Sequence, residues 1–195
     1  MNNTQSIFLR LLKAGFLGIL VLGNSIAWDS AAASFAFHSV PFTSQLEQSY
    51  LPNETCAVAS LTMMLQYKGI TPPDYTTLCK ELKTTRQHGT SVADIFEYLD
   101  KRGVGHTSLN NIAQIKSQLS RGPVFAIVRM KTPVLSTLFG DFFSENHAIV
   151  IVGHTDTGFI YLDPYKTSTA HNRQKIMAFE LFEKRWVYNV AFQLA

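Results

Sequence analysis

Three stretches in the second half of the chain limit what it can fold into. "PVFAIVRM" (123–130), "HAIVIVGHT" (147–155) and "GFIYLDPY" (158–165) are rich in β-branched and aromatic residues, which favour strands over helices. The last two are joined through Asp156-Thr157-Gly158, a sequence suited to a hairpin turn. "VYNVAFQLA" (187–195) reads as one more strand at the end of the sequence.

The first half has a different texture. In "LPNETCAVASLTMMLQYKG" (51–69) the apolar residues Val58, Leu61, Met64 and Leu65 recur at helical spacing. Asn53 or Thr55 can cap this helix and Gly69 can stop it. "PPDYTTLCKELKT" (72–84) is a helix opened by prolines. "TSVADIFEYLDKRG" (90–103) is a third, capped by Thr90 or Ser91, and "NIAQIKSQLSRG" (111–122) a fourth. "MAFELFEKRW" (177–186) predicts a late helix. Helices first and strands afterwards define an α+β domain with helices packed on an antiparallel sheet. With 195 residues, 46% of them apolar and 16% charged, the chain is globular and long enough for one real core. Its net charge of +3 is scattered, with no basic run longer than Lys101-Arg102 or Lys184-Arg185, which argues against a nucleic-acid partner.

Residues 1–33 read as an export signal: Arg10 and Lys13, then "AGFLGILVLG" (14–23), then small residues with cleavage expected near 27 or 33. The apolar run is shorter than the about 20 residues that span a bilayer, so stable membrane insertion is not expected once the signal is removed. The mature part, 34–195, is expected to be a single domain in the periplasm or secreted.

Export leads to an oxidising compartment, where the chain's two cysteines, Cys56 and Cys79, are candidates for a disulfide. Three features favour a nucleophile at Cys56 instead. Cys56 stands where the first helix starts, and the positive helix end favours thiolate over thiol. His147 opens a strand and supplies a base; Asp163 closes the neighbouring strand and supplies a carboxylate to orient it. Gln45, on the extended stretch before the helix, offers a side-chain amide for an oxyanion. Cys79 in "YTTLCKELK" reads as a core residue. His147, His154 and Asp156 match no zinc spacing, so neither metal nor cofactor is expected. His38, His88, His106 and His171 read as surface residues. "KTPVLSTLFGDFF" (131–143) reads as a packed connection or a flap over a cleft.

In order, "VPFTSQ", "ETCAVASLTMML", "GTSVADIFEYLDKRG", "RGPVFAIV", "ENHAIVIVGHTDTGFIYLDP" and "FELFEKRW" resemble cysteine peptidase family thirty-nine, the bacterial double-glycine-leader peptidases, and their stand-alone relatives. The resemblance runs over roughly residues 38–190. It implies a papain-like fold, with Cys56 as nucleophile, His147 as general base and acid, Asp163 as its orienting partner and Gln45 as oxyanion donor. One departure stands beside the nucleophile: the family's usual Gly-Pro is Ala57-Val58 here. The expected substrate is a peptide or protein, and the expected setting is bacterial, since a glycan on Asn53-Glu54-Thr55 would crowd Cys56. Stand-alone relatives that accompany secretion or surface-fibre assembly systems make such a system an expected partner. The alternative is a non-catalytic module that binds peptides on the same fold.

Overall fold

A computed structural model describes residues 37–131, 144–171 and 173–195. They belong to one compact unit. The expected export signal and almost all of the 131–143 connection lie outside the described residues. Among the described residues, no helix is long and apolar enough to cross a membrane.

The chain first forms α1 (Cys56–Tyr67), α2 (Tyr75–Glu81) and α3 (Val92–Lys101), then β1 (His106–Ser108) and α4 (Ile112–Gln118). There follow β2 (Val124–Lys131), β3 (Ser144–His154), β4 (Gly158–Leu162), β5 (Gln174–Ala178), α5 (Phe179–Arg185) and β6 (Trp186–Leu194). Caps are read directly from side chains: Asp74, Ser91 and Asn111 accept from the amides of Thr77, Asp94 and Gln114. Gly69 and Gly103, at φ 71° and 65°, end their helices in the left-handed region that glycine tolerates.

The six strands form one sheet in the order β1-β6-β2-β3-β4-β5, with every pairing antiparallel. Alternation along the strands divides the core between two faces. Phe125, Ala148, Val150, Val152, Leu162 and Phe192 join α1, α2 and α3. Val124, Ala126, Val128, Ile149, Ile151 and Phe159 join Ile115 of α4 and Phe182 of α5. Because both faces are covered, the central strands are almost uninterruptedly apolar, which is why "HAIVIVG" shows no polar alternation. The stacked rings of Phe125 and Phe192, 4.6 Å between centroids, tie β2 to β6.

Helix α1 is the centre of the first layer. Every residue from Ala57 to Leu65 is buried, so the helix is apolar around most of its circumference rather than along one stripe. Each large side chain buried here, such as Leu61 or Leu65 at 0% exposure, stabilises the fold by about 1.5–3 kcal/mol. Ala57 and Val58, at 4% and 0%, are part of that packing.

The structure corrects several boundaries. The helix expected over 177–186 covers only Phe179–Arg185; Met177 and Ala178 end β5 instead. Pairing with β4 claims them, in the register Gly158↔Ala178 and Phe159↔Met177. Strands β4 and β5 approach so closely there that a Cβ on Gly158 would lie 2.4 Å from the Met177 carbonyl oxygen, so the turn sequence also needs its glycine for packing. The helices expected from residues 72 and 111 begin at Tyr75 and Ile112. His38 is not a surface residue: its ring bonds the Leu119 carbonyl at 2.5 Å and the Tyr67 hydroxyl at 2.8 Å. His106 stacks on Phe96 at 4.4 Å.

Candidate active site

Cys56 is the first residue of α1, directly after Thr55 at the cap position. The Thr55 hydroxyl donates to the Leu51 carbonyl at 3.0 Å, and its oxygen accepts no bond from the first helical amides. The first turn carries no acidic side chain either. The amides and the positive end of the helix are therefore left to the thiol itself. Burial alone would push the Cys56 thiol up. A hydrogen bond from His147, its charge, and the amides of Ala148 and Ala57 outweigh burial and hold the thiol below its ordinary range.

His147 sits on β3 opposite Val128 of β2. Asp163 follows β4 immediately, and its amide donates to the Arg173 carbonyl at 2.8 Å. The two side chains meet, with His147 Nε2 at 2.8 Å from Asp163 Oδ1. With Nε2 donating to the carboxylate, Nδ1 is the nitrogen left for Cys56. Burial would lower the affinity of the ring for its proton, but bonds to Asp163 and Cys56 prevail and His147 is pushed up to about 9. Asp163 is 3% exposed, and burial would raise it. His147 and then Lys175 hold it well below the ordinary carboxylate range instead. Oδ1 also accepts from the Tyr165 amide at 3.0 Å, and Oδ2 accepts from Lys175 Nζ at 3.0 Å.

Gln45 is 1% exposed. Its amide nitrogen in the backbone donates to the Pro164 carbonyl at 3.0 Å, and its Nε2 donates to the Pro52 carbonyl at 2.8 Å. It thus bridges the loop before Cys56 and the residue after Asp163. One Nε2 hydrogen remains, and Oε1 is buried with no partner among the described residues.

A cleft of about 600 Å³ opens at Cys56. One wall is the 84–90 turn, where Thr85 and Gly89 pair across a short bridge. Gly89 has φ 62°, and a Cβ there would lie 3.2 Å from the Glu54 carbonyl oxygen, so this turn presses on the loop before Cys56. The other wall holds Ile127 and Ala148 together with Val187, Tyr188 and Val190. Between the pairs Ala126↔Ala191 and Val128↔Trp186, β6 spends four residues against one of β2. Trp186 Nε1 closes this excursion on the Val190 carbonyl at 2.9 Å. Tyr188 and Asn189 both take positive φ, 49° and 52°, a backbone that costs a non-glycine residue roughly 1–2 kcal/mol. Tyr188 is 84% exposed. Strain and an exposed ring thus meet at the rim of the cleft.

The second thiol is elsewhere. Cys79 is at 0% exposure in the core beside α1, burial pushes it up to about 11, and both cysteines are free. Cys79→Ala is expected to cost roughly 1–2 kcal/mol and to leave the reactivity of Cys56 unchanged. Thermal melting and thiol alkylation of the variant check this. His154 bonds the Thr155 carbonyl at 3.0 Å, and among the described residues no group of three His, Cys, Asp or Glu side chains is arranged to hold a metal ion.

The structure therefore brings together Cys56, His147 and Asp163, from a helix start, a strand and a strand end, with Gln45 seated between their supporting loops. Three contributors carried no sequence signal: the Ala148 amide, the Tyr165 amide and Lys175. Backbone donors are invisible in sequence, and Lys175 lies in "RQKIM", which has no motif.

Three solved structures share this fold. One, described as a C39-like peptidase from Bacillus anthracis, is 22% identical and superposes with a TM-score of 0.60 over 83% of this chain and 97% of its own. The peptidase domain of Streptococcus ComA, a bifunctional ABC transporter of a quorum-sensing pathway, is 22% identical with a TM-score of 0.54 over 73% and 91%. A double glycine motif protease from an AMS/PCAT transporter, solved with its leader peptide, is 16% identical with a TM-score of 0.54 over 81% and 92%. No curated protein matches the sequence. The fold is thus papain-like, that of C39 peptidase domains. The sequence model of the Peptidase_C39 like family matches residues 37–192, and the chain belongs to that family.

Proposed function

We propose that this chain is an exported bacterial cysteine peptidase acting through Cys56, His147 and Asp163, with Gln45 as oxyanion donor. The observation that carries the reading is the relay itself: a thiol at an uncapped helix end, held below its ordinary range by an imidazole that a 2.8 Å bond fixes to a carboxylate. In the proposed reaction the Cys56 thiolate attacks the scissile carbonyl carbon. A C–S bond forms and the carbonyl oxygen takes up the negative charge. The Gln45 side-chain amide and the helix-start amides receive that oxyanion. The His147 imidazolium gives its proton to the leaving nitrogen as the C–N bond breaks. A water then loses its proton to His147 and attacks the thioester carbon; the C–S bond breaks with its electron pair on sulfur, the acid product leaves, and the thiolate–imidazolium pair is restored.

The substrate is a peptide segment lying in the cleft at Cys56, between the 84–90 turn and Tyr188. A peptidase related in fold is known with a leader peptide bound, which supports a peptide occupant. The signal-like sequence of residues 1–33 supports a periplasmic or secreted site of action, on a protein that is itself exported or displayed at the surface.

The test is incubation of the protein with a proteome-derived peptide library, with new termini identified by mass spectrometry and Cys56→Ala as the control. New termini made only by the wild-type chain are expected. No cleavage, together with equal alkylation of Cys56 and Cys79, would leave a peptide-binding module instead. On a peptide so found, Gln45→Ala is expected to slow turnover by about 10² or more without lowering the melting temperature beyond the loss of one hydrogen bond. An unchanged rate would leave the oxyanion to backbone amides alone.

A further inference from the structure

The Asp163 carboxylate is engaged on both oxygens. Oδ1 takes His147 Nε2 at 2.8 Å and the Tyr165 amide at 3.0 Å. Oδ2 takes Lys175 Nζ at 3.0 Å. Lys175 lies on β5 opposite Tyr161, in the register Tyr161↔Lys175 and Leu162↔Gln174. Two residues on, Asp163 returns to the face of Tyr161, so Lys175 is its diagonal neighbour across the strand pair. The pair is not a surface one. The Lys175 side chain is 29% exposed and that of Asp163 is 4%, against 59% and 44% for Lys83 and Glu97 on the helical face. An ammonium drawn this far from water onto a buried carboxylate has a strong partner there, and removing it leaves Oδ2 of that carboxylate without its hydrogen bond and the site one positive charge short.

The charge balance gives the pair a meaning. In the reactive state proposed above, the site holds a thiolate, an imidazolium and the Asp163 carboxylate. Those three sum to one negative charge in a buried place, which opposes the thiolate. The ammonium of Lys175 brings the sum to zero. It also offsets part of the pull of the carboxylate on the His147 proton, while Oδ1 still orients the ring.

We propose that Lys175 is a positioning residue of this site, which turns Oδ1 of Asp163 toward His147 and, by cancelling the carboxylate charge, extends the thiolate form of Cys56 to lower pH. This rests on the peptidase reading of the site. Other groups around it are few. Tyr165 sets its ring edge-on to His147 at 6.4 Å. Tyr161 of β4 feels Asp163, with Arg185 of α5 behind it, and Tyr75 of α2 faces the Cys56 side. Glu54, Glu145, Arg86 and His88 line the cleft. Lys175 is the cation bonded to the carboxylate itself.

The deciding measurement is the rate of Cys56 alkylation by iodoacetamide as a function of pH, on the full chain carrying Cys79→Ala. Lys175→Met and Lys175→Gln are expected to move the acid-side rise of that rate upward by roughly one pH unit, and to move the His147 step upward as well, since losing a positive charge disfavours the thiolate and favours the imidazolium. Lys175→Arg keeps the charge and is expected to leave both steps in place. Gln keeps a hydrogen-bond donor without the charge, so it carries the test if Met does not fold. Curves for Gln and Met that superpose on the parent would overturn the proposal, as would an Arg variant displaced as far as Gln. A parent whose Cys56 alkylates only as an ordinary thiol, near pH 8.5, would instead bring down the peptidase reading beneath it.

Discussion

Cys56→Ala is expected to abolish peptide cleavage, by about 10⁴-fold or more, because residues that act as one catalytic unit lose nearly all of their effect when the nucleophile goes. The fold should barely notice. Cys56 is only partly buried, alanine is a good helix former, and nine buried residues behind position 56 hold α1 in place. Melting of the variant is therefore expected within about 1 kcal/mol of the parent. The same substitution should keep peptide affinity, since the walls of the cleft are untouched, and should yield a form that binds without cutting. Residual cleavage above a hundredth of the parent rate would remove Cys56 from the chemistry.

His147→Ala should cost about 10³-fold or more, the loss of both proton transfers. It should also change the pH dependence in a defined direction. In the parent, His147 holds its proton up to about 9 while the Cys56 thiol is held below its ordinary range. The thiolate–imidazolium pair then exists between those two limits, and cleavage should fall on the alkaline side as pH passes about 9. Without the ring, the thiol loses its two largest favourable influences and alkylation should shift to higher pH. Stability is linked to the same groups. Asp163 is held low, so its contribution is complete above the ordinary carboxylate range near 4 and fades as pH falls below it. His147 is held high, so its contribution is complete below the ordinary value near 6.5 and fades as pH rises through about 9. Thermal melts of parent and Asp163→Asn should lie furthest apart between about pH 4 and pH 6.5, draw together as pH falls below 4, and draw together only in part as pH rises through about 9, where the Lys175 bond to Asp163 remains.

Several parts of this molecule were open to reading from residues alone. "HAIVIVG" and "GFIYL" declare themselves as paired strands because both sheet faces are buried and the turn between them carries its glycine. Gly69 and Gly103 mark helix ends because the left-handed backbone is cheap only there. Strand β5 was hidden. "QKIMA" alternates exposed and buried positions on an edge strand, with a charged lysine that a pattern reads as surface. Only the register with β4 shows that this lysine points back at Asp163. Strand β1 has three residues, too few for any period. The excursion of β6 at Tyr188 and Asn189 is a left-handed pair without glycine, and nothing local predicts it.

The sheet order carries a consequence for how the chain reaches its shape. Strand β1 pairs with β6, and β6 inserts between β1 and β2, so His106 meets Leu194 across a loop of most of the second half. Such separated pairings place the domain among slow folders, since each closure must be made before its contacts repay it. Until β6 arrives, β2 presents a bare apolar edge and the second wall of the cleft does not exist, because Val187, Tyr188 and Val190 are carried by that same strand. Before β6 docks, the Cys56 thiol thus has no groove in which another polypeptide could be held.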